Sequence, residues 1–528
     1  MLLCFVSGLI CVSCFVLFGR KTFAVFQQCG YLPKEFLKAY FGDCHRDFVG
    51  LSTYSLVLLV LLLAAIPLVF VGEAVYFAVF FFFGLTFSSV VFCRTKAVKK
   101  AVLTKRYTRI IAASATVSFL GGFLISCAFV SHLEIDAAFC LLYSLPPFLS
   151  AFLSPLILTV GFYIMLPLDK SLYVISVKKC ERKLEKYPDL IKIGITGSYG
   201  KTSVKNFLEK MLSQKYEVLA TPKSYNTPLG ICEAVKKLDE SHEIFIAEMG
   251  ARRRGDIKTL CEIVKPDIGI ITGICAQHLE TFGSLENVKR AKNELIEGLP
   301  VSGLAVFSSD SEGARDLYEK CDIPKMLVGI SGKEVRAANV RENENGLKFD
   351  MIAEGKIYSV ESGLHGKHNA SNLCIAAAVA LKSGVPIEKI LLAIRIMKNQ
   401  PHRLTVTKNA VGITIIDDGY NANEKSVESA VETLSYFGGR RFVVTPGLVE
   451  TGDKTAEMNE RVGAVVSKYA DEIIAVGKNA KYVLSGVKGR AKGVLVNNLK
   501  EAEEELKRSL KSGDAVLFLN DVPDKYGV

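Results

Sequence analysis

Apolar and polar positions divide this chain into two regimes. Before residue 176, Leu, Val, Phe and Ala collect in runs that reach the roughly 18 to 20 residues needed to cross a bilayer, at 2–19, 52–71, 74–93, 110–130 and 137–167. The last run is long enough to tilt, break or re-enter around Pro146, Pro147 and Pro155, so the pattern predicts five to seven spans. After residue 176 the runs shorten. "IKIGIT", "EIFIAE", "PDIGIITGI" and "GLAVFS" alternate with helical stretches, beginning with Lys201–Leu212, which predicts a parallel sheet covered on both faces. A second series follows "KNQPHRL" at 398–404: "GITIIDD", "RFVVT", "EIIAV", "GVLV" and "AVLFL", separated by helical segments at 424–436, 453–469 and 499–510.

The organisation expected is therefore an N-terminal helical membrane domain over 1–175, a phosphate-loop α/β domain over 176–398 and a smaller Rossmann-like domain over 399–528, with "SVKKCERKLEKYPDL" at 176–190 as a charged connector. No internal repeat or low-complexity tract interrupts it.

Composition sharpens this division. The chain has 528 residues, half of them hydrophobic, and a mean hydropathy of +0.28, a high value whose excess lies almost wholly before residue 176. Residues 1–175 hold 13 Lys and Arg against 7 Asp and Glu, and the remainder 52 against 47. Such a balanced second part carries no nucleic-acid footprint. Basic residues at Arg20 and Lys21 and from Arg94 to Arg109 mark cytoplasmic loops, and suit anionic lipid headgroups. With the turns at Glu73 and at Glu134 and Asp136 outside, the chain returns to the cytoplasm, so the expected location is the cell membrane, multi-pass, with the α/β domains on the cytoplasmic side. The first span has no basic residue before it and no clear cleavage pattern, and reads as retained. Fourteen cysteines are scattered; the one close pair, Cys11 and Cys14, lacks the neighbours to complete a metal shell, leaving reduced thiols as the simpler reading.

Chemistry concentrates after strand 191–196. Gly197-Ser198-Tyr199-Gly200-Lys201-Thr202-Ser203 supplies backbone N–H groups, a lysine for β and γ phosphates and a hydroxyl for Mg²⁺. The general G-x-x-x-x-G-K-[ST] pattern would need glycine at Ile195, and Gly194 and Gly197 flank that position instead. By this pattern alone, a strand-turn-helix corner without a ligand stays open.

The variant T-G-S-x-G-K-T is similar to that of the Mur ligases, and further stretches agree in order: "IFIAEMG", "PDIGIITGICAQHLETFGSLENVKRAKNELI", "GLHGKHNASNLCIAAAVAL", "PHRL" and "IIDDGYNANEKS". The resemblance is closest to the MurF type and covers about residues 190–450. Gly273 replaces an expected asparagine, Gln277 precedes His278, and Gly419 and Glu424 also depart from the pattern. Both ends differ: membrane spans stand where a domain receiving a uridine nucleotide is expected, and the last stretch lacks a K-G-S-R-like ending.

Carried over residue by residue, the resemblance implies ATP as cosubstrate with two Mg²⁺ ions. Gly197, Ser198, Gly200, Lys201, Thr202, Ser203, Asn369, Asn372, Arg403 and Asp418 would contact the nucleotide, and Tyr420, Asn421 and Asn423 would line the seam between domains. Thr202, Glu248, His278 and Lys292 would hold metal, with Lys292 carbamylated. Lys201, Lys292, His278 and Glu248 would carry catalysis. The implied reaction joins D-alanyl-D-alanine to a muramoyl-peptide carboxylate through an acyl phosphate. A lipid-linked or other cell-envelope acceptor, and a membrane scaffold that only binds nucleotide, remain alternatives.

Overall fold

The computed structural model describes residues 1–41, 102–132, 146, 149–150, 153–223, 225–275, 282–419, 424–449 and 454–520. The expected spans at 52–71 and 74–93, and much of that at 137–167, lie outside them. The chain divides into two compact units, Met1–Tyr173 and Val174–Val522.

In the first unit, helices α1 (Leu2–Gln28), α2 (Pro33–Phe41) and α3 (Lys105–His132) and the first part of α4 (Ser154–Leu184) bury a largely aromatic core of Phe15, Phe23, Phe26, Phe36, Tyr107, Ile110, Leu158 and Phe162. Asp169 is held by Arg106 Nε at 2.8 Å and Arg109 Nη2 at 2.6 Å. Among the described residues two helices, Lys105–Ala128 and Ser154–Leu184, are long and apolar enough to cross a membrane; the apolar stretch of α1, Cys4–Leu17, is shorter. Residues 176–184, expected as connector, continue α4 as helix.

The second unit contains three sheets. The first has the order β2-β3-β1-β4-β5-β6, with β1 Ile191–Thr196, β2 Val218–Ala220, β3 Ile244–Glu248, β4 Ile268–Ile271, β5 Leu304–Ser308 and β6 Lys325–Val328. All its pairings are parallel. The inner strands β3, β4 and β5 bury all or all but one of their residues, as a sheet covered on both faces requires, while the edge strands β2 and β6 are more open. Between and after them run α5 (Lys201–Leu212), α6 (Pro228–Val235), α7 (Asp256–Val264), α8 (Leu285–Glu297) and α9 (Glu312–Glu319).

Strands β7 (Val335–Asn343), β8 (Gly346–Ala353) and β9 (Lys356–Ser362) then form an antiparallel meander, which the strand pattern did not anticipate. Alternate positions of the meander, Val335, Ala337, Leu347, Phe349 and Met351, enter the same core as the alanine-rich helix α10 (His368–Lys382) and α11 (Ile387–Arg395). Small side chains on α10 let it lie close to α5.

The last sheet has the order β10-β11-β15-β12-β13-β14: β10 Thr405–Lys408, β11 Thr414–Asp418, β12 Arg441–Thr445, β13 Glu472–Val476, β14 Lys492–Val496 and β15 Ala515–Leu519. Only β10 is antiparallel to its neighbour. Helices α12 (Glu424–Leu434), α13 (Thr455–Val466), α14 (Ala480–Ser485) and α15 (Leu499–Ser509) connect its strands. The α/β expectation thus holds for both parallel sheets.

Candidate active site

In parallel α/β sheets ligands collect beyond the carboxyl ends of the strands, and the ends of β1, β3 and β4 carry the polar groups here. At the end of β1 the chain turns through Gly197 (φ 156°) and Gly200 (φ 80°) into α5. The second of these angles is left-handed, where a side chain is strained. A Cβ on Gly197 would lie 2.2 Å from Thr272 Oγ1, and one on Gly200 3.0 Å from Asn372 Oδ1. Glycine is therefore demanded by both conformation and space. Ser198 N donates to the Gly273 carbonyl at 2.7 Å, and Ser198 Oγ accepts from Cys275 N at 3.2 Å, fixing the loop on the end of β4. Lys201 Nζ donates back to the Gly197 carbonyl at 2.6 Å. Desolvation and the Arg403 charge hold the Lys201 ammonium below the ordinary lysine range, against an opposing pull from Glu248.

Glu248, the last residue of β3, is 1% exposed. Its Oε1 accepts from Asn226 Nδ2 at 3.3 Å, and Oε2 lies 3.2 Å from Lys205 Nζ without a hydrogen bond of its own. Lys205 also donates to the carbonyls of Thr221, at 2.7 Å, and Lys223. Sequence reasoning passed over this lysine. It is the lone charge in the buried stripe Val204, Lys205, Leu208, Met211 and Leu212 of α5, and that was the available signal, since a buried ammonium needs a partner.

Lys292 on α8 is 3% exposed. Burial first, and the Lys201 charge second, push its ammonium down to about 7. Thr202 Oγ1 accepts from Arg403 Nη2 at 3.4 Å, so a side chain from the linker before the last sheet reaches the head of α5. Asn372 Nδ2 donates to Asn369 Oδ1 at 3.2 Å, and Asn369 Nδ2 to the His365 carbonyl at 2.7 Å, at the N-terminal end of α10 and the turn before it. Asp418, ending β11, accepts from Leu404 N at 3.2 Å, and burial pushes its carboxyl up to about 7. Ser203 stands in the first turn of α5. His278, Tyr420, Asn421 and Asn423 lie outside the described residues.

The structure brings Lys201, Thr202, Glu248, Asn372 and Arg403 to one region, with Asp418 supporting the Arg403 segment. Among the described residues no group of three His, Cys, Asp or Glu side chains forms a metal cage. The donor types, a hydroxyl at Thr202 and a buried carboxylate at Glu248, fit a hard cation held jointly with phosphate oxygens, with Glu248 Oε2 paired to the Lys205 ammonium. The departure at Gly273 also has a physical account. A Cβ there would sit 2.4 Å from the Tyr199 ring, so the tyrosine fills the space an asparagine would need.

Against known proteins, the Mur ligase middle domain matches residues 195–380, and the Mur ligase, glutamate ligase domain, matches 402–519. The chain belongs to the Mur ligase family. This is a family of ATP-dependent ligases. Similar curated proteins are the UDP-N-acetylmuramoyl-tripeptide–D-alanyl-D-alanine ligases of Buchnera aphidicola, 30% identical over 62% of this chain and 71% of that one, and of Escherichia coli K12, 28% identical over 54% and 65%. The chain thus spans about two thirds of the length of these relatives. Among solved structures, MurF from Acinetobacter baumannii superposes with a TM-score of 0.62 at 26% identity, covering 66% of this chain and 77% of that one. The MurF ligase from Thermotoga maritima, in complex with ADP, superposes with 0.60 at 25%, covering 67% and 81%.

The multi-pass membrane placement and the lipid partners drawn from hydropathy are corrected by these findings. The matched relatives are named as ligases of a UDP-linked substrate, and among the described residues, which leave out the expected spans at 52–71 and 74–93, two helices are long and apolar enough to cross a membrane. The physical reason lies in the helices themselves. The apolar stretch of α1, Cys4–Leu17, is shorter than a span, and length and composition alone do not say whether an apolar helix faces lipid or a protein core. Two helices that pass by length and composition also describe core helices or a signal sequence.

Proposed function

We propose that this Mur ligase has the MurF-type activity, joining D-alanyl-D-alanine to the carboxylate of a UDP-linked muramoyl tripeptide at the cost of ATP, in peptidoglycan precursor synthesis. The observation that carries this reading is the Arg403 to Thr202 contact of 3.4 Å, which adds a second cation beside Lys201 at the glycine loop and draws it from the other family domain. Two cations at one loop suit a triphosphate.

A substrate carboxylate oxygen bonds to the γ-phosphorus, and the bond to the β-bridging oxygen breaks, giving ADP and an acyl phosphate. The dipeptide amine then attacks the acyl carbon; phosphate departs and the amine loses a proton. Lys201 and Arg403 offset the charge of the phosphates, while Asn369 and Asn372 face the nucleotide from α10. Positioning and electrostatics do most of this work, because both partners are already polar. Thr202, Glu248, His278 and a carbamylated Lys292 would hold two magnesium ions, which when bound polarise the transferred phosphoryl group.

Carbamylation of Lys292 accords with its burial. A neutral amine is the form that adds carbon dioxide, forming an N–C bond and losing a proton, and the ammonium here is pushed down to about 7. The anionic product would relieve the repulsion from Lys201.

The test is incubation of the full chain with ATP, Mg²⁺, UDP-muramoyl tripeptide and D-alanyl-D-alanine, following phosphate release and identifying the product by mass spectrometry. Phosphate release that depends on both substrates, with the ligated pentapeptide as product, is expected. Nucleotide binding without any ligated product would leave a binding-only protein. A labelled carbamate carbon in protein supplied with ¹³C-bicarbonate, absent from Lys292→Ala, is the expected result for the modified lysine.

A further inference from the structure

The segment "KNQPHRL" at 398–404 joins the two family domains, and its backbone is unusual. His402 (φ 62°) and Leu404 (φ 50°) are both left-handed, on either side of Arg403. Residues with side chains hold that conformation only where their surroundings over-determine it. Here they do. His402 Nδ1 lies 2.8 Å from Asp417 Oδ2, Leu404 N donates to Asp418 Oδ1 at 3.2 Å, and the Leu404 side chain is buried in the core of the last sheet. Arg403 N donates to the Gln400 carbonyl at 3.0 Å.

A further tie comes from a side-chain amide. Asn399 Nδ2 donates to the Arg403 carbonyl at 2.9 Å and to the His365 carbonyl at 3.2 Å, while its Oδ1 accepts from His365 N at 2.7 Å. The same His365 carbonyl accepts from Asn369. One side chain therefore joins the turn that begins α10 to the base of the arginine that reaches Thr202.

We propose that Asn399 is a positioning residue for Arg403: it locks the linker backbone to the turn before α10, so that the guanidinium and the α10 asparagines are set against the glycine loop together. This rests on reading that loop as the nucleotide site. The physical reason is entropic, because a long arginine side chain pointed from a mobile base loses much of its binding gain to ordering. The strained residues on both sides remove that freedom before nucleotide arrives.

The experiment is calorimetric titration of ADP with Mg²⁺ into the full chain, for wild type, Asn399→Ala, Asn399→Asp, Arg403→Ala and the Asn399→Ala, Arg403→Ala double variant, with thermal melting of each. Asn399→Asp keeps an acceptor for His365 N but turns a carboxylate oxygen toward the His365 and Arg403 carbonyls, and the melting curves show which variants remain folded. Each single variant is expected to weaken ADP roughly tenfold, the scale of one charge-assisted contact, and the double variant no more than Arg403→Ala alone. In turnover, kcat or the KM for ATP is expected to change while the KM for the dipeptide does not. Wild-type affinity in both Asn399 variants beside a weakened Arg403→Ala, or additive losses in the double variant, overturns the proposal. Absence of ADP binding by wild type instead overturns the nucleotide reading, and this inference falls with it.

Discussion

The two loops that meet at Thr202 reach unusual backbone geometry by opposite means. The loop after β1 uses glycines, Gly197 and Gly200, at the points where the chain turns; the linker before β10 uses His402 and Leu404, which carry side chains into the left-handed region. The difference follows from what each loop presents. In the proposed reading the first loop presents backbone N–H groups to a phosphate and packs tightly on the end of β4, where a Cβ on Gly197 would lie 2.2 Å from Thr272 Oγ1. An arginine side chain is to be held at a fixed origin, so the linker is pinned on both sides of it. Permissive backbone serves the first task and constrained backbone the second.

Several measurements can break or sharpen this contrast. Lys201→Met removes the lysine offered to phosphate, and ATP-dependent phosphate release should fall by about 10²–10³-fold, the scale seen when one transition-state donor is lost. A smaller fall would move the charge compensation to Arg403. Gly197→Ala forces a Cβ against Thr272 Oγ1 and the Gly273 carbonyl, and should cost about 1–3 kcal/mol in denaturant unfolding as well as nucleotide affinity. Unchanged stability there would mean that the loop accepts side chains and that glycine is incidental.

The pH dependence of stability reports on Lys292. In the unfolded chain its amine keeps a proton up to about 10.5, and in the fold only up to about 7. Between those values the unfolded state binds the additional proton, so unfolding free energy rises with pH across that window. Below it both states are protonated and the burial penalty is fully present. In buffer free of carbon dioxide, Lys292→Met should flatten this rise, measured by denaturant titration from pH 7 to 10. The smallest effect is expected at the linker. His402→Gly relieves left-handed strain but loses the exposed contact with Asp417 and adds chain entropy, so stability should stay within about 1 kcal/mol of wild type. Turnover should nonetheless fall. A variant that keeps full activity would show that the strained geometry is unrelated to Arg403.

The glycine loop of the candidate site could be read from residue order, because such loops are local objects: Gly197 to Gly200 sit between β1 and α5, and Lys201 and Thr202 open the helix. Three features escaped. The meander β7–β9 alternates polar and apolar residues around turns at Glu344-Asn345 and Glu354-Gly355, a signal available but hidden between helix patterns. Lys205 escaped because its partners, Thr221, Lys223 and Glu248, lie 16 to 43 positions away. Asn399 resembles any polar linker residue until His365 and Arg403 are seen on either side of it.

The sequence by itself determined the parallel-sheet class, the glycine loop with its lysine and the order of family motifs, since each depends on neighbours within one or two turns of chain. Tertiary structure alone decided which groups meet: Lys205 with Glu248, Arg403 with Thr202, and the Tyr199 ring with Gly273. Electrostatic pairing and steric exclusion act through space, and residues separated by two hundred positions feel them only after the sheets have formed. Hydropathy counted the same way was the least reliable guide, because the length and composition of an apolar run do not say what its helix packs against.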